Sequence, residues 1–246
     1  MWDAKYLQNK ERKFREKDIS YGEFTIKTKT KWWNLIELVN VLRFSGLKSP
    51  KSILDVGCSD GRFLEYVSKT FKLCNLFGID FARRPLKDLK NKPFKSIQIC
   101  GDMCNLPFKP SSFDFIVSLQ AVQQIPNAEN RINLLKNIHA MLKDKGTLTV
   151  TVLNQKSWFN LVENGKEGPL KTAPDIYEYL YNPQDLRDEL QKAGFTVSII
   201  TGTNLIPVRF LKYLKFFGVL IDTTLTLLLG SLSIKRSRYL LAVCKK

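Results

Sequence analysis

The sequence predicts an α/β fold: a doubly wound, mostly parallel sheet with helices on both faces, preceded by a helical arm and interrupted late by an apolar helical insertion. Three observations lead there. Short apolar runs (SILDVG, NLFGID, SIQICGD, FDFIVSL, TLTVTVL) alternate with helical stretches, the pattern of right-handed βαβ units whose strands are covered on both faces. A turn bearing Gly57 and Gly61 follows the first run directly, and Asp80 and Asp102 stand at the ends of the second and third.

Taken in order, residues 1–30 are polar and mixed in charge without a clean period, and read as an arm of loop and short helix. From Lys31 the stretch WWNLIELVNVLRFSG places apolar residues at Trp32, Leu35, Ile36, Val39 and Leu42, a helical stripe that docks on the body and stops at Gly46. The arm and docked helix make up residues 1–46, the sheet-forming domain residues 47–204 together with 238–246, and the apolar insertion residues 205–237. Within the domain, helices are expected from Asp60 to about Thr70, up to Leu89, and from about Glu129 to Leu142, with Gly146 opening TLTVTVL. Between Asn154 and Tyr181, Gly165, Gly168, Pro169 and Pro174 predict an irregular stretch. NPQDLRDELQKAGF then carries an Asn cap, a first-turn proline, early acids and a terminal Gly194, which together mark a helix. FTVSIITG reads as the strand after it, residues 205–234 as helical, and RYLLAVCKK as the last strand.

The bulk composition narrows the function classes. A chain of 246 residues with 44% hydrophobic content buries a full core. Its net charge of +16 favours anionic partners such as nucleic acid, phosphorylated small molecules or acidic headgroups. The five cysteines form no Cys-x-x-Cys pair, and the sole histidine, His139, lies apart from them. That pattern argues against a zinc site or a disulfide framework and for a reducing cytoplasm. The opening MWDAKYLQNKERKFREKD is charged where a signal peptide is apolar, so a cytoplasmic location is expected, with or without peripheral membrane contact.

In ILDVGCSDGRFLEYV the glycines let the backbone turn tightly and let a ligand approach it, while the following helix offers unpaired N–H groups. Gly57, Ser59 and Gly61 alternate without the further glycine of a dinucleotide fingerprint, which weighs against a nicotinamide oxidoreductase. Gly-x-Ser-x-Gly also marks the nucleophile elbow of hydrolases, but His139 precedes any late triad acid, against that family's order. Asp80, about twenty residues after the turn, is placed to accept hydrogen bonds from both hydroxyls of a ribose. Parallel strands present their carboxyl ends on one side, so the turn, Asp80 and Asp102 share one crevice.

LDVGCSDGRF, FGIDFA, GDMCNLPFKPSSFDFIVS and LKDKGTLTVTVLN resemble the successive motifs of class I S-adenosylmethionine-dependent methyltransferases, and are most similar to the group that includes the quinone-biosynthesis enzymes. The likeness runs through roughly residues 50 to 154, with an echo in NPQDLRDELQKAGF. It implies S-adenosyl-L-methionine as cofactor, held around Asp55, Gly57, Ser59 and Gly61 at the methionine end. It further implies Asp80 on the ribose, Phe81 over the adenine, Asp102 and Met103 at the adenine edge, and Leu119 and Gln120 beside the methionine and methyl group. It also implies seven strands, the last inserted antiparallel. Two departures stand out. Ser59 replaces the family's middle glycine, and Gln124 stands in the segment where relatives often carry a histidine.

A sulfonium methyl is already activated, so alignment and exclusion of water are the main tasks, and no catalytic residue is assigned. His139 is expected on a helix away from the crevice as a half-exposed structural residue. Cys100 and Cys104 are expected as small packing residues. Of Trp32 and Trp33, at least one is expected in the core, a lid over the cofactor being the alternative. Residues 207–234 turn almost wholly apolar, yet the next strand must return to the same sheet, which argues against a bilayer crossing. They form either a cap over the crevice or an interfacial element, residues 207–238, with Arg209, Lys212, Lys215, Lys235, Arg236 and Arg238 toward anionic headgroups. The function expected is methyl transfer to a small-molecule or lipid-like acceptor. RNA methylation ranks lower because the positive charge is scattered, and a non-catalytic cofactor-binding subunit is the third reading.

Overall fold

A computed structural model of the chain describes residues 4–17, 31–157, 165–170 and 173–246. The apolar runs form β1 (Ser52–Val56), β2 (Asn75–Asp80), β3 (Ile97–Cys100), β4 (Phe113–Leu119) and β5 (Leu142–Leu153), all parallel. β8 (Thr196–Thr203) lies at the far edge. β9 (Tyr239–Lys245) inserts antiparallel between β5 and β8, giving the seven-stranded order β3-β2-β1-β4-β5-β9-β8.

Strand periodicity sends alternate residues to opposite layers. Leu54, Val56 and Ile116 pack with α5 (Ala128–Met141) and α6 (Pro183–Lys192), whereas Ile53, Phe115 and Val117 pack with α3 (Arg62–Thr70) and α4 (Arg83–Lys90). β1 is buried throughout, as expected of a strand covered on both faces. α6 starts where its caps dictate: Asn182 Oδ1 accepts the Asp185 N–H at 2.9 Å, Pro183 fills the first turn, and Gly194 takes φ +98°. His139 is half-buried on α5, edge-on to Phe195 at 5.0 Å between ring centroids, a packing role remote from the strand carboxyl ends.

Several expectations are corrected. α3 begins at Arg62 rather than Asp60, because Gly61 takes a left-handed φ of +74°. β5 begins at Leu142 rather than Gly146, through a bulge between the pairs Phe113–Leu142 and Phe115–Thr147. The stretch read as irregular contains an antiparallel ribbon, β6 (Glu167–Leu170) and β7 (Ala173–Tyr179). Gly168 and Pro169 sit inside it, since a two-stranded edge tolerates a residue that donates no ladder hydrogen bond.

The arm contains α1 (Ala4–Lys17), and α2 (Lys31–Ser45) ends at Gly46 with φ +63°. The deepest face of α2 is turned from the predicted stripe: Ile36 is buried as expected, but with Trp33, Glu37, Asn40 and Val41, while Trp32, Leu35, Val39 and Leu42 are half-buried. The cause is tertiary. α2 lies between the sheet and α7 (Val208–Leu229), so most of its circumference is covered. Trp33 meets Tyr239 of β9 and Trp32 meets Phe216 of α7, both edge-on.

Candidate active site

The carboxyl ends of β1, β2 and β4 meet at the glycine turn. Gly57 and Cys58 donate their N–H groups to the Ile79 carbonyl at 2.9 and 3.0 Å, and a Cβ on Gly57 would lie 2.5 Å from that of Ala121. Gly57, Ser59 and Gly61 take φ of +78°, +50° and +74°, so Ser59 holds a left-handed backbone that the family's glycine adopts at no steric cost. Asp80 locks the turn. Its Oδ2 accepts the Ser59 N–H at 2.8 Å and its Oδ1 the Ala82 N–H at 2.9 Å. The carboxylate therefore organises the loop and retains further lone pairs.

Asp55, at the end of β1, is buried, and its carboxyl is pushed up to about 8 by desolvation against the opposing pull of Arg62. Phe81 follows Asp80 and is buried, with the guanidinium groups of Arg12 and Arg15 5.8 and 5.9 Å from its ring centre. Asp102 is half-buried past β3 and accepts the Cys104 N–H at 2.9 Å, beside the half-buried Met103. Leu119 is buried, and Gln120, with φ +59°, donates its backbone N–H to Thr151. Cys100 and Cys104 are exposed, which corrects the packing role expected of them: both lie at and beyond the end of the short edge strand β3, where no layer covers them.

Two groups escaped the sequence reading. The first centres on Glu37, fully buried on α2. Its carboxylate accepts from Gln120 Nε2 at 3.0 and 2.9 Å and from Thr151 Oγ1 at 2.6 Å, and pairs with Arg62 at 2.8 Å. Burial works against the Arg62 charge, but Glu37, Tyr239, Asp60 and Asp55 together outweigh it and the guanidinium is raised; Arg62 also donates to Asn34 at 3.0 Å. The signal was present: a lone acid in the apolar stretch WWNLIELVNVLRF, unremarked because the stripe was read on the neighbouring face.

The second group is a roof. α1 crosses the crevice, its Glu16 accepting the Arg83 N–H at 2.7 Å and its Lys10 lying 3.7 Å from Asp175 of β7. Arg15 pairs with Glu11 at 2.6 Å, both buried, and donates to Gln124 Oε1 at 3.0 Å. Gln124 in turn donates to Glu178 of β7 at 3.2 Å. Gln124 is thus a bridge between α1 and β7. Glu178 is buried, with one carboxylate oxygen unpartnered among the described residues, and burial pushes it up to about 7. Trp33 is buried against Tyr239 of β9, the core position expected of at least one of the two indoles, and Trp32 packs edge-on against Phe216 of α7.

A family model described as a methyltransferase domain matches residues 35–198, from α2 through the glycine turn to β8. The chain belongs to that methyltransferase family. Its cofactor is S-adenosylmethionine. The methyltransferase is 33% identical over 105 residues to an uncharacterised protein of Methanocaldococcus jannaschii, covering 43% of this chain and 42% of that one. It is 26% identical to the 18S rRNA (guanine-N(7))-methyltransferase of Bos taurus, over 61% of this chain and 48% of the relative. The methyltransferase therefore spans less than half the length of either. Among solved structures, a Burkholderia thailandensis 1,6-didemethyltoxoflavin-N1-methyltransferase with bound 1,6-didemethyltoxoflavin and S-adenosylhomocysteine superposes with a TM-score of 0.67. The two are 14% identical, over 100% of this chain and 91% of that one, which speaks for the shared fold.

Proposed function

We propose that this methyltransferase acts on a small-molecule or lipid-like acceptor admitted beneath α1. The observation that carries the reading is the roof: α1 lies over Phe81 and the strand ends, tied to Arg83, to Gln124 and to Asp175 of β7, and the buried carboxylates Glu11 and Glu37 are matched by the guanidinium groups of Arg15 and Arg62. A bulky RNA strand is obstructed by that roof, whereas a small acceptor is not.

The donor set fits the cofactor. Asp80 retains lone pairs for ribose hydroxyls, Phe81 offers an apolar face to an adenine beside Asp102 and Met103, and the Glu37–Arg62 pair complements the ammonium and carboxylate of an amino acid. Asp55, Gly57, Ser59, Gly61, Leu119 and Gln120 would line that same end. When bound, the cofactor supplies an activated sulfonium methyl. The chain's residues then orient the acceptor, exclude water under α1 and receive a proton, a role we give to Glu178, whose raised carboxyl lies beside Gln124 below α1.

Calorimetric titration with S-adenosylmethionine tests the cofactor site, and transfer of labelled methyl groups to lipid extract, amine and phenol pools tests the acceptor class. RNA methylation, motivated by the net charge of +16 and by a relative that methylates rRNA, is tested by adding total RNA to the same assay. Labelled RNA with unlabelled small-molecule pools would reverse the proposal.

A further inference from the structure

α7 is amphipathic in the wrong sense for a helix facing water. The side it turns to the protein carries Gly218, Asp222, Thr223 and Thr226, along with Leu211 and Val219. The side it turns outward is apolar, with Tyr213 78%, Phe217 71% and Leu228 79% exposed, and Leu220 about half exposed. Two of these groups are tied locally: Asp222 accepts the Ile206 N–H at 2.7 Å, and Thr223 donates to the Val219 carbonyl at 2.8 Å. The outward face has no counterpart among the described residues, and the run is long and apolar enough to cross a membrane by composition. A contiguous exposed apolar surface of this size marks an interaction site.

The topology forbids a crossing. α7 leaves β8 after Thr203 and the chain returns as β9, whose Tyr239 pairs with that same Thr203. The helix is also broken at Lys215 (φ 49°, ψ −127°). Its longer segment, residues 216–229, rises about 21 Å at 1.5 Å per residue, short of the roughly 30 Å hydrocarbon core. A helix held along one side by protein and apolar along the other lies parallel to a surface.

Charge selects which surface. Arg209, Lys212 and Lys215 are exposed within the aromatic first half, and Lys235 and Arg236 are exposed past its end. Basic residues interleaved with Phe, Tyr and Leu match the boundary between anionic headgroups and acyl chains. A second copy of the chain would bring the same cations and another +16 of net charge to the contact.

We infer that α7 is a monotopic membrane anchor that seats the methyltransferase on an anionic bilayer with Phe217, Leu220 and Leu228 in the interface. This assignment is independent of the acceptor, and its test needs neither cofactor nor substrate. The full chain is floated with phosphatidylcholine vesicles containing about a third anionic lipid and with phosphatidylcholine alone. Binding is expected to the anionic vesicles and to fall by tenfold or more at about 0.5 M salt. Phe217→Glu and Leu228→Glu, both at exposed positions, are each expected to lower partitioning at least tenfold, as is the double variant Lys212→Glu/Lys215→Glu. Unchanged circular dichroism and S-adenosylmethionine affinity verify that the variants are folded. Three results would overturn the inference: no flotation of the wild type on anionic vesicles, flotation indifferent to all of these substitutions, or light scattering showing a dimer that does not bind vesicles and that Phe217→Glu dissociates.

Discussion

Removing the Asp80 carboxylate leaves the N–H groups of Ser59 and Ala82 without acceptors where water is largely excluded. An unsatisfied buried donor costs about 1–3 kcal/mol. Asp80→Ala is therefore expected to lower the urea midpoint as well as weaken S-adenosylmethionine binding by more than tenfold, and Asp80→Asn to retain part of both. A fold left at full stability would show that the turn does not depend on this residue. Glu178 gives a pH signature. Burial raises its folded carboxyl to about 7, from an ordinary value of 4.5. Below pH 4.5 both states hold the proton. Between 4.5 and 7 only the folded chain keeps it, so stability falls as pH rises and levels off above 7. Glu178→Gln has no such group, so the melting temperature of the variant relative to wild type should climb across that window and then stay constant. A difference flat with pH would contradict the raised value. If Glu178 is the base, the same variant also loses methyl transfer while keeping cofactor affinity.

At the scale of elements, α5 and α6 are clasped by a buried ion pair. Arg131 meets Glu189 at 2.6 Å, Tyr181 donates its hydroxyl to the same carboxylate at 2.6 Å, and Arg131 lies 4.0 Å from the centre of the Tyr179 ring. Breaking a buried pair from one side costs about 3–5 kcal/mol, because the remaining charge is stranded. Arg131→Met is expected to destabilise by that amount in urea denaturation, with cofactor affinity in the residual folded protein unchanged, since the clasp lies on the layer away from the glycine turn. α1 behaves differently. It is held over the crevice by the side chains of Arg15, Glu16 and Lys10, the last reaching Asp175 of β7, which suits a roof that must admit and release ligands. Arg15→Ala should raise the KM for the cofactor several-fold and speed amide exchange in α1. Unaltered exchange would mean that the roof is held by other contacts.

For the whole molecule, a roofed crevice whose buried carboxylates Glu11 and Glu37 are paired with arginines sits inside a strongly basic exterior, and the two respond differently to salt. Surface attraction to an anionic bilayer is screened over about 8 Å at physiological ionic strength, whereas interactions inside the roofed site are shielded from counter-ions. Added salt of about 0.5 M should therefore release the methyltransferase from anionic vesicles while changing its S-adenosylmethionine affinity by less than about twofold. A parallel loss of both would place the cofactor site in open solvent. α2 joins the two functions, since it carries Glu37 toward Gln120 on one side and Trp32 toward Phe216 of α7 on the other.

Much of this was legible in the residues. Period-two apolar runs, glycines at the turn and caps such as Asn182 act locally, so the parallel sheet, the left-handed turn at Gly57 and Gly61, and the bounds of α6 could be read before any neighbour was known. The family motifs named the cofactor for the same reason, being contiguous in sequence. What remained hidden depended on distant packing. The buried face of α2 shifted because α7 covers its other side, Glu37 gained its role from Gln120 and Arg62 on separate elements, and α1 became a roof through ion pairs that no local pattern announces. The inverted amphipathicity of α7 appeared as a merely apolar run until the sheet showed which side was already occupied. A side chain's environment is set by what the rest of the chain brings to it, and that information is not carried at any single stretch of sequence.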